Sequence, residues 1–235
     1  MDASSAKIAV NLAGVRDRIS AAALRSGRKA DEIKLVAVTK YVGATEIRAL
    51  VEAGCIDLGE SRPQQLWQKA AELADLPIRW HLVGHLQRNK VRRTLPLVAM
   101  IHSADSLRLL KEINEDCGEP DRRVPLLLEV NTSGEPAKGG FPPDDVGPLL
   151  PELANFRHLE IQGLMCMAAL EGGLDAARRD FAALRQLRDR LLNNCPAEIR
   201  LDHLSMGMSG DYEVAIEEGA TIVRVGTALF EGAIP

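Results

Sequence analysis

The sequence is short of several things, and each shortage removes a class of protein. It has no C-x-x-C pair. Cys55, Cys117, Cys166 and Cys195 stand far apart, so no short secreted disulfide framework is written in them and they read as reduced thiols. No stretch approaches the roughly 20 consecutive apolar residues that span a bilayer. The first twenty residues, "MDASSAKIAVNLAGVRDRIS", lack the unbroken apolar centre and cleavage site of a secretory signal. Positive charge is not in excess either: 29 Lys and Arg against 33 Asp and Glu leave a formal charge of −4 and a pI near 5.8. That balance gives no chain-wide footprint for nucleic acid or an anionic membrane, so any bound anion is expected to be small. Repeats, low-complexity tracts and a dividing linker are missing as well. Together these absences predict a soluble cytoplasmic protein whose residues 1–235 form a single domain, with no nucleic-acid or membrane partner; because no exposed apolar stripe stands out, a monomer is expected.

What is present is ordinary globular material, 46% hydrophobic and 26% charged, enough for a sizeable core. After an amphipathic N-terminal helix ending near Ser26-Gly27, short apolar runs alternate with helical patterns almost to the end of the chain. The strand candidates are "IKLVAV", "CIDLG", "RWHLVG", "AMIHS", "PLLLEVN", "LEIQGLM", "RLDHLSM" and "TIVRVG". Helical spacing falls at 44–53, 62–74, 106–117, 144–154, 174–192 and 209–218. Strands alternating with crossover helices imply parallel pairing, and about eight such units in this length predict an α/β fold closed as a (β/α)8 TIM barrel. An open doubly wound sheet is the alternative.

In such barrels functional groups collect where strands end and βα loops begin. "LSMGMSGD" offers Ser205 and Ser209 around a glycine, and "RVGTALFEG" offers Gly226 and Thr227. Hydroxyls and backbone N–H groups after strands seven and eight are the usual phosphate holders of this architecture, and they need no basic cluster; the same residues also suit plain turns and caps. Lys40 closes the first apolar run. A lysine there is either a wetted edge residue or, beside a phosphate, a point-charge clamp or an amine able to form a Schiff base. Phosphate and aldehyde in one ligand describe pyridoxal 5′-phosphate (PLP). Arg224 interrupts "IVRVG", so an inward side chain needs an acceptor: a carboxylate, or a pyridine nitrogen that it would leave unprotonated, weakening the ring as an electron sink.

With these residues identified, the sequence resembles the pyridoxal-phosphate homeostasis proteins, also called proline-synthase co-transcribed homologues. The resemblance runs through "LVAVTK", "LGES", "WHLVGHLQRNK", "EVNTSGEPAKGGF", "GLMCM" and "LSMGMSGDYEVAIEEGATIVRVGTALFEG". It implies a barrel similar to the N-terminal domain of alanine racemase, of the fold type III PLP proteins, with PLP as cofactor. By the same resemblance Lys40 is the Schiff-base residue; Ser205, Ser209, Gly226 and Thr227 hold the phosphate; Arg224 faces the pyridine nitrogen; His81, Met206 and Met208 line the ring pocket. The implied role is intracellular PLP homeostasis by buffering or carrying, with PLP-dependent apo-enzymes as potential partners. One motif departs: where the family usually has an asparagine after Gly-Glu and an acidic residue further on, this chain has Ser61 and Gln65.

Catalysis is a separate question. Proton transfer on both faces of an α-carbon needs two bases, and alanine racemases take the second from a tyrosine acting across a dimer from a β-rich domain. This chain stops shortly after Gly226-Thr227 and has two tyrosines. Tyr41, next to Lys40, is expected to point away on a continuing strand, and Tyr212 to start a helix. A non-catalytic carrier is therefore expected; a low-activity racemase using solvent or His81 as second base is the competing class, and a sugar-phosphate barrel enzyme without PLP a third. His81 and His85 straddle a strand and loop, so no metal site is expected. Asp202, His203 and Ser205 alternate faces on one strand and cannot form a hydrolytic relay by themselves. "NKVRR" (89–93) reads as a short solvated helix, and Lys138 in "AKGG" (137–140) as either a solvated lysine or a second amine near the rim.

Overall fold

Alternation of residue types along the strands explains how the chain closes. In the computed structural model, which describes residues 3–117, 122–136 and 138–234, eight parallel strands pair in sequence order into a closed barrel. They are β1 Lys34–Val38, β2 Asp57–Glu60, β3 Arg79–Leu82, β4 Val98–Ala104, β5 Val124–Glu129, β6 Leu159–Met165, β7 His203–Ser205 and β8 Ile222–Val225. The seam closes where Lys34, Leu35, Val36 and Ala37 of β1 face Ile222, Val223, Arg224 and Val225 of β8. Of the two architectures the sequence allowed, the closed barrel is the one adopted.

Because side chains alternate between faces, each strand contributes to two cores. Ala37, Leu58, Ile101, Leu126, Leu128, Leu164, Leu204, Val223 and Val225 face outward into a continuous layer beneath the helices. Val36, Met100, Leu127, Met165 and Ile222 form a small apolar cluster of their own. These five share strand faces with Lys34, His102, Glu129 and Arg224, at even spacing from them, which places the barrel's polar residues inside it.

The helices that follow the strands are α2 Ala44–Glu52, α3 Pro63–Glu72, α4 Val91–Thr94, α5 Leu107–Glu115, α6 Pro143–Leu153, α7 Gly173–Leu192, α8 Tyr212–Glu217 and, after β8, α9 Thr227–Phe230; α1 Ala3–Arg25 precedes β1. α1 buries Ile8, Leu12, Val15, Ile19, Ala22 and Ala23, one stripe at helical spacing, and packs on α2, α8 and α9 across the β8–β1 seam. Helix starts follow local chemistry: Pro63 opens α3 at its first turn, and Ser106 Oγ accepts the Leu109 N–H at the start of α5. The basic run 89–93 becomes a 3-10 turn and α4, with the Arg93 guanidinium 4.1 Å from the Trp67 ring centroid. No helix among the described residues is long and apolar enough to cross a membrane.

Candidate functional site

The C-terminal ends of the strands surround a cavity of about 610 Å³, within the usual size of small-molecule sites. β1 brings Val38 and the turn after it Lys40, β8 brings Arg224, the loop after β7 brings Met208, Ser209 and Gly210, and the junction of β8 with the next helix brings Gly226 and Thr227. Lys40 continues the inward parity of Lys34, Val36 and Val38, and its ammonium lies 4.8 Å from the Tyr41 ring centroid. The strand stops at Val38, so Tyr41 sits in a turn rather than on a continuing strand. Its ring stacks on the lysine instead of pointing away, and it is 76% exposed.

The turn carrying Lys40 is anchored from below. Glu60, fully buried, accepts the Thr39 hydroxyl and the Lys69 ammonium on Oε1, each at 2.6 Å. Lys69 also donates to the Thr39 carbonyl at 2.7 Å. These bonds tie the end of β1 to β2 and α3 one residue before Lys40.

The two loops after β7 and β8 are joined through Ser209, whose Oγ accepts the Gly226 N–H at 3.1 Å and the Ala228 N–H at 3.4 Å. No partner is found among the described residues for the N–H groups of Ser209, Gly210 or Thr227, and all three residues line the cavity. Unpaired amides with hydroxyls beside them form an oxyanion-accepting cradle. Gly207 shapes it: its φ is +92°, and an added Cβ would lie 2.6 Å from the Ala215 Cβ.

Arg224 is buried and donates from Nη1 to Ser205 Oγ at 2.6 Å and from Nη2 to the Cys166 carbonyl at 2.9 Å. Burial lowers its pKa from the ordinary arginine value, yet a guanidinium stays charged in proteins, so it meets the cavity as a permanent donor. Glu129 and Asp105 face the same space. Burial first, then repulsion from Asp105, pushes the Glu129 carboxyl up to about 7, against the pull of Arg224 and His85. His85 pairs with Asp105 at 2.7 Å.

Three expected site residues lie elsewhere. Ser205, His81 and Met206 are outside the cavity wall. The Ser205 hydroxyl is fully buried, spent on Arg224 and on His102 Nδ1 at 2.8 Å, because β7 ends with this residue still inside the barrel. His81 lies 2.9 Å from His102 Nε2 and 3.0 Å from Asp57 Oδ1, deep among strands β2 to β4, and so cannot serve as a second base at the cavity. Met206 joins the outer core. Ser61 does line the cavity, while Gln65 lines a separate hollow. Lys138, only 12% exposed, is not a solvated lysine: it donates to the Ala168 carbonyl at 2.5 Å and pairs with Glu135 at 3.3 Å; Ala137 lies outside the described residues. Tyr212 does not line this cavity, whereas Tyr41 lines an adjoining hollow of about 590 Å³ that shares Lys40, Ser209, Gly210, Gly226 and Thr227 with it.

The sequence reading passed over Glu129, Asp105 and His102. The signal for each was a polar residue set in an apolar strand or directly after one, in "PLLLEVN" and "AMIHSAD".

A cavity offering an amine, a buried guanidinium and an oxyanion cradle at the C-terminal mouth of a (β/α)8 barrel defines a protein of the alanine racemase N-terminal class. That family's model, "Alanine racemase, N-terminal domain", matches residues 10–233. Below it, the chain belongs to the pyridoxal phosphate homeostasis protein family: it is 41% identical over 225 residues to the protein of that name from Pseudomonas aeruginosa, covering 95% of this chain and 94% of the relative. Among solved structures it is similar to PipY of Synechococcus elongatus with PLP bound, at 38% identity and a TM-score of 0.83, covering 95% of this chain and 99% of that one. It also shares its fold with Clostridium difficile alanine racemase (14% identity, TM-score 0.73), covering 95% of this chain and 56% of that one.

Proposed function

We propose that this chain binds pyridoxal 5′-phosphate in the Lys40 cavity and serves in PLP homeostasis, holding the cofactor and giving it up to apo-enzymes without robust turnover of amino acids. The observation that carries this is the convergence of Lys40, Arg224 and the unpaired amides of Ser209, Gly210 and Thr227 on one cavity of about 610 Å³. The donor set fits each part of the ligand: the cradle suits a phosphate, the lysine an aldehyde, and the arginine an acceptor nitrogen. The PLP-bound PipY structure and the curated relative support the same reading. When bound, PLP supplies an aldehyde carbon that condenses with amines and a ring that withdraws electrons.

The chain's own groups do the rest. Thr39, Glu60 and Lys69 fix the backbone beside Lys40; Ser209 holds the two phosphate loops together; Arg224, which donates hydrogen bonds but does not release its proton, would leave an opposing nitrogen unprotonated and so limit the electron demand of the ring. Tyr41 beside Lys40 is 76% exposed, Tyr212 is buried, and His81 is committed to Asp57 and His102. Those placements favour holding over turnover.

The test is direct. Protein mixed with PLP, treated with borohydride and digested should carry a permanent mass increase on Lys40, and Lys40→Ala should carry none; absence of the adduct from the wild-type chain defeats the assignment. Incubation with L-amino acids should then give no robust Lys40-dependent D-isomer or keto acid, and such turnover would replace the carrier role with an enzymatic one.

A further inference from the structure

Below the cavity, an unbroken polar chain crosses the barrel interior. Arg224 Nη1 donates to Ser205 Oγ at 2.6 Å; Ser205 Oγ lies 2.8 Å from His102 Nδ1; His102 Nε2 lies 2.9 Å from His81 Nδ1; His81 Nε2 lies 3.0 Å from Asp57 Oδ1. At the far end Asp57 Oδ2 accepts from Arg79 at 2.5 Å, and the Arg79 side chain is 53% exposed. Strands β8, β7, β4, β3 and β2 each supply a link. Ser205, His102 and His81 are all at most 2% exposed.

The two ends determine the direction of every bond. A guanidinium can only donate, and an ionised carboxylate can only accept. With Ser205 Oγ accepting from Arg224, its own proton goes to His102 Nδ1. His102 then carries its hydrogen on Nε2 and gives it to His81 Nδ1, and His81 carries its hydrogen on Nε2 and gives it to Asp57. Reversal would set an unprotonated His81 Nε2 against a carboxylate at 3.0 Å. Neither ring gains a second proton: burial holds His102 well below the usual histidine range and lowers His81. The charges facing them, Lys34 of β1, Arg79 of β3, Arg224 of β8 and His203 of β7, add to that effect, and Asp57 alone opposes it. Burial by itself would raise the Asp57 pKa, but bonds from His81 and Arg79 hold it below the usual value, so the acceptor end stays ionised.

Arg224 forms no ion pair among the described residues. A buried cation without a carboxylate is costly, and a row of aligned dipoles ending on an anion offsets that cost, each bond polarising the next. We propose that His102 is a positioning residue for the cofactor pocket. With Ser205, and with His81 and His102 both in fixed Nε2–H tautomers, it forms a one-way relay from Arg224 to Asp57 that pins Nη1 of the guanidinium, while the Cys166 carbonyl holds Nη2, leaving the N–H groups not used in these two bonds for the ligand's ring nitrogen. The last clause rests on the PLP reading; the tautomers do not.

Two experiments separate these. In the ligand-free wild-type protein, ¹⁵N NMR of the histidine rings from about pH 5.5 to 8, the ordinary histidine range, should show His81 and His102 as neutral Nε2–H tautomers throughout. An imidazolium or an Nδ1–H form of either overturns the relay. With PLP, His102→Leu should bind about tenfold more weakly and shift the visible absorption band of the bound cofactor, while His102→Gln, which can still accept from Ser205 and donate to His81, should restore both. A folded His102→Leu with wild-type affinity and spectrum overturns the positioning role. If His102→Leu does not fold, the wild-type tautomers and the spectrum of His102→Gln decide. A wild-type protein that takes up no PLP defeats the proposed function and leaves the tautomer result standing on its own.

Discussion

Glu129 shows how one buried group ties stability to pH. Its carboxyl, 6% exposed, titrates near about 7 in the folded chain, chiefly because burial disfavours the charged form. The unfolded chain loses that proton near the ordinary value of 4.5, so the folded state binds more protons between these values and stability falls as pH rises from about 4.5 to 7, by roughly 2–3 kcal/mol. Glu129→Gln should flatten that fall, as read from urea midpoints at either end of the window; an unchanged slope would assign the pH dependence elsewhere. At the cradle, Ser209→Ala removes the acceptor shared by the Gly226 and Ala228 amides and should weaken PLP binding about tenfold, measured by equilibrium titration. Lys40, Ser209, Gly226, Thr227 and Met208 were legible as one group because each follows a strand at the same rim, and Arg224 because it is the charged residue in the otherwise apolar end of the last strand. Ser205, Met206 and His81 were not, since sequence position says that a residue is near a strand end but not how far below the rim its side chain lies.

Between elements, the joints matter more than the strands themselves. The Glu60–Lys69 pair, 0% and 12% exposed, fastens the end of β1 to β2 and α3. Lys69→Met leaves the Glu60 charge buried with only the Thr39 hydroxyl, and should cost about 3–5 kcal/mol in chemical unfolding while loosening the Lys40 turn. The β6–β7 joint is tight in another way: a Cβ on Gly163 would lie 1.9 Å from the His203 carbonyl oxygen. Gly163→Ala should therefore part these strands and destabilise the fold by more than about 3 kcal/mol, seen as a lower thermal midpoint. The alternating order of strands and helices was readable from periodicity. The brevity of β7, three residues against the seven-residue strand candidate "RLDHLSM", was not, because its pairing partners set its length.

Across the whole molecule, burial decides which chemistry is open to solvent. Cys55, Cys117 and Cys166 are buried and Cys195 half-buried; burial pushes the Cys166 thiol up to about 12 and Cys55 up to about 11. A thiol reagent should label Cys195 alone in the native protein and all four cysteines after denaturation, as counted by intact mass. Rapid native labelling of Cys166 would mean that the barrel opens far more readily than its packing implies. What the sequence determined by itself was the class of fold, through the alternation of apolar runs and helical spacing, and the chemical kinds at the rim: an amine, an arginine, hydroxyls and glycines in order along the chain. Only the tertiary structure decided which of them share a cavity. Strand parity and closure of β8 on β1 turned Arg224, Ser205, His102, His81 and Asp57, spread over more than half of the sequence, into one polar line beneath the site. No local pattern encodes that line, because its links lie on five different strands and meet only when the barrel closes.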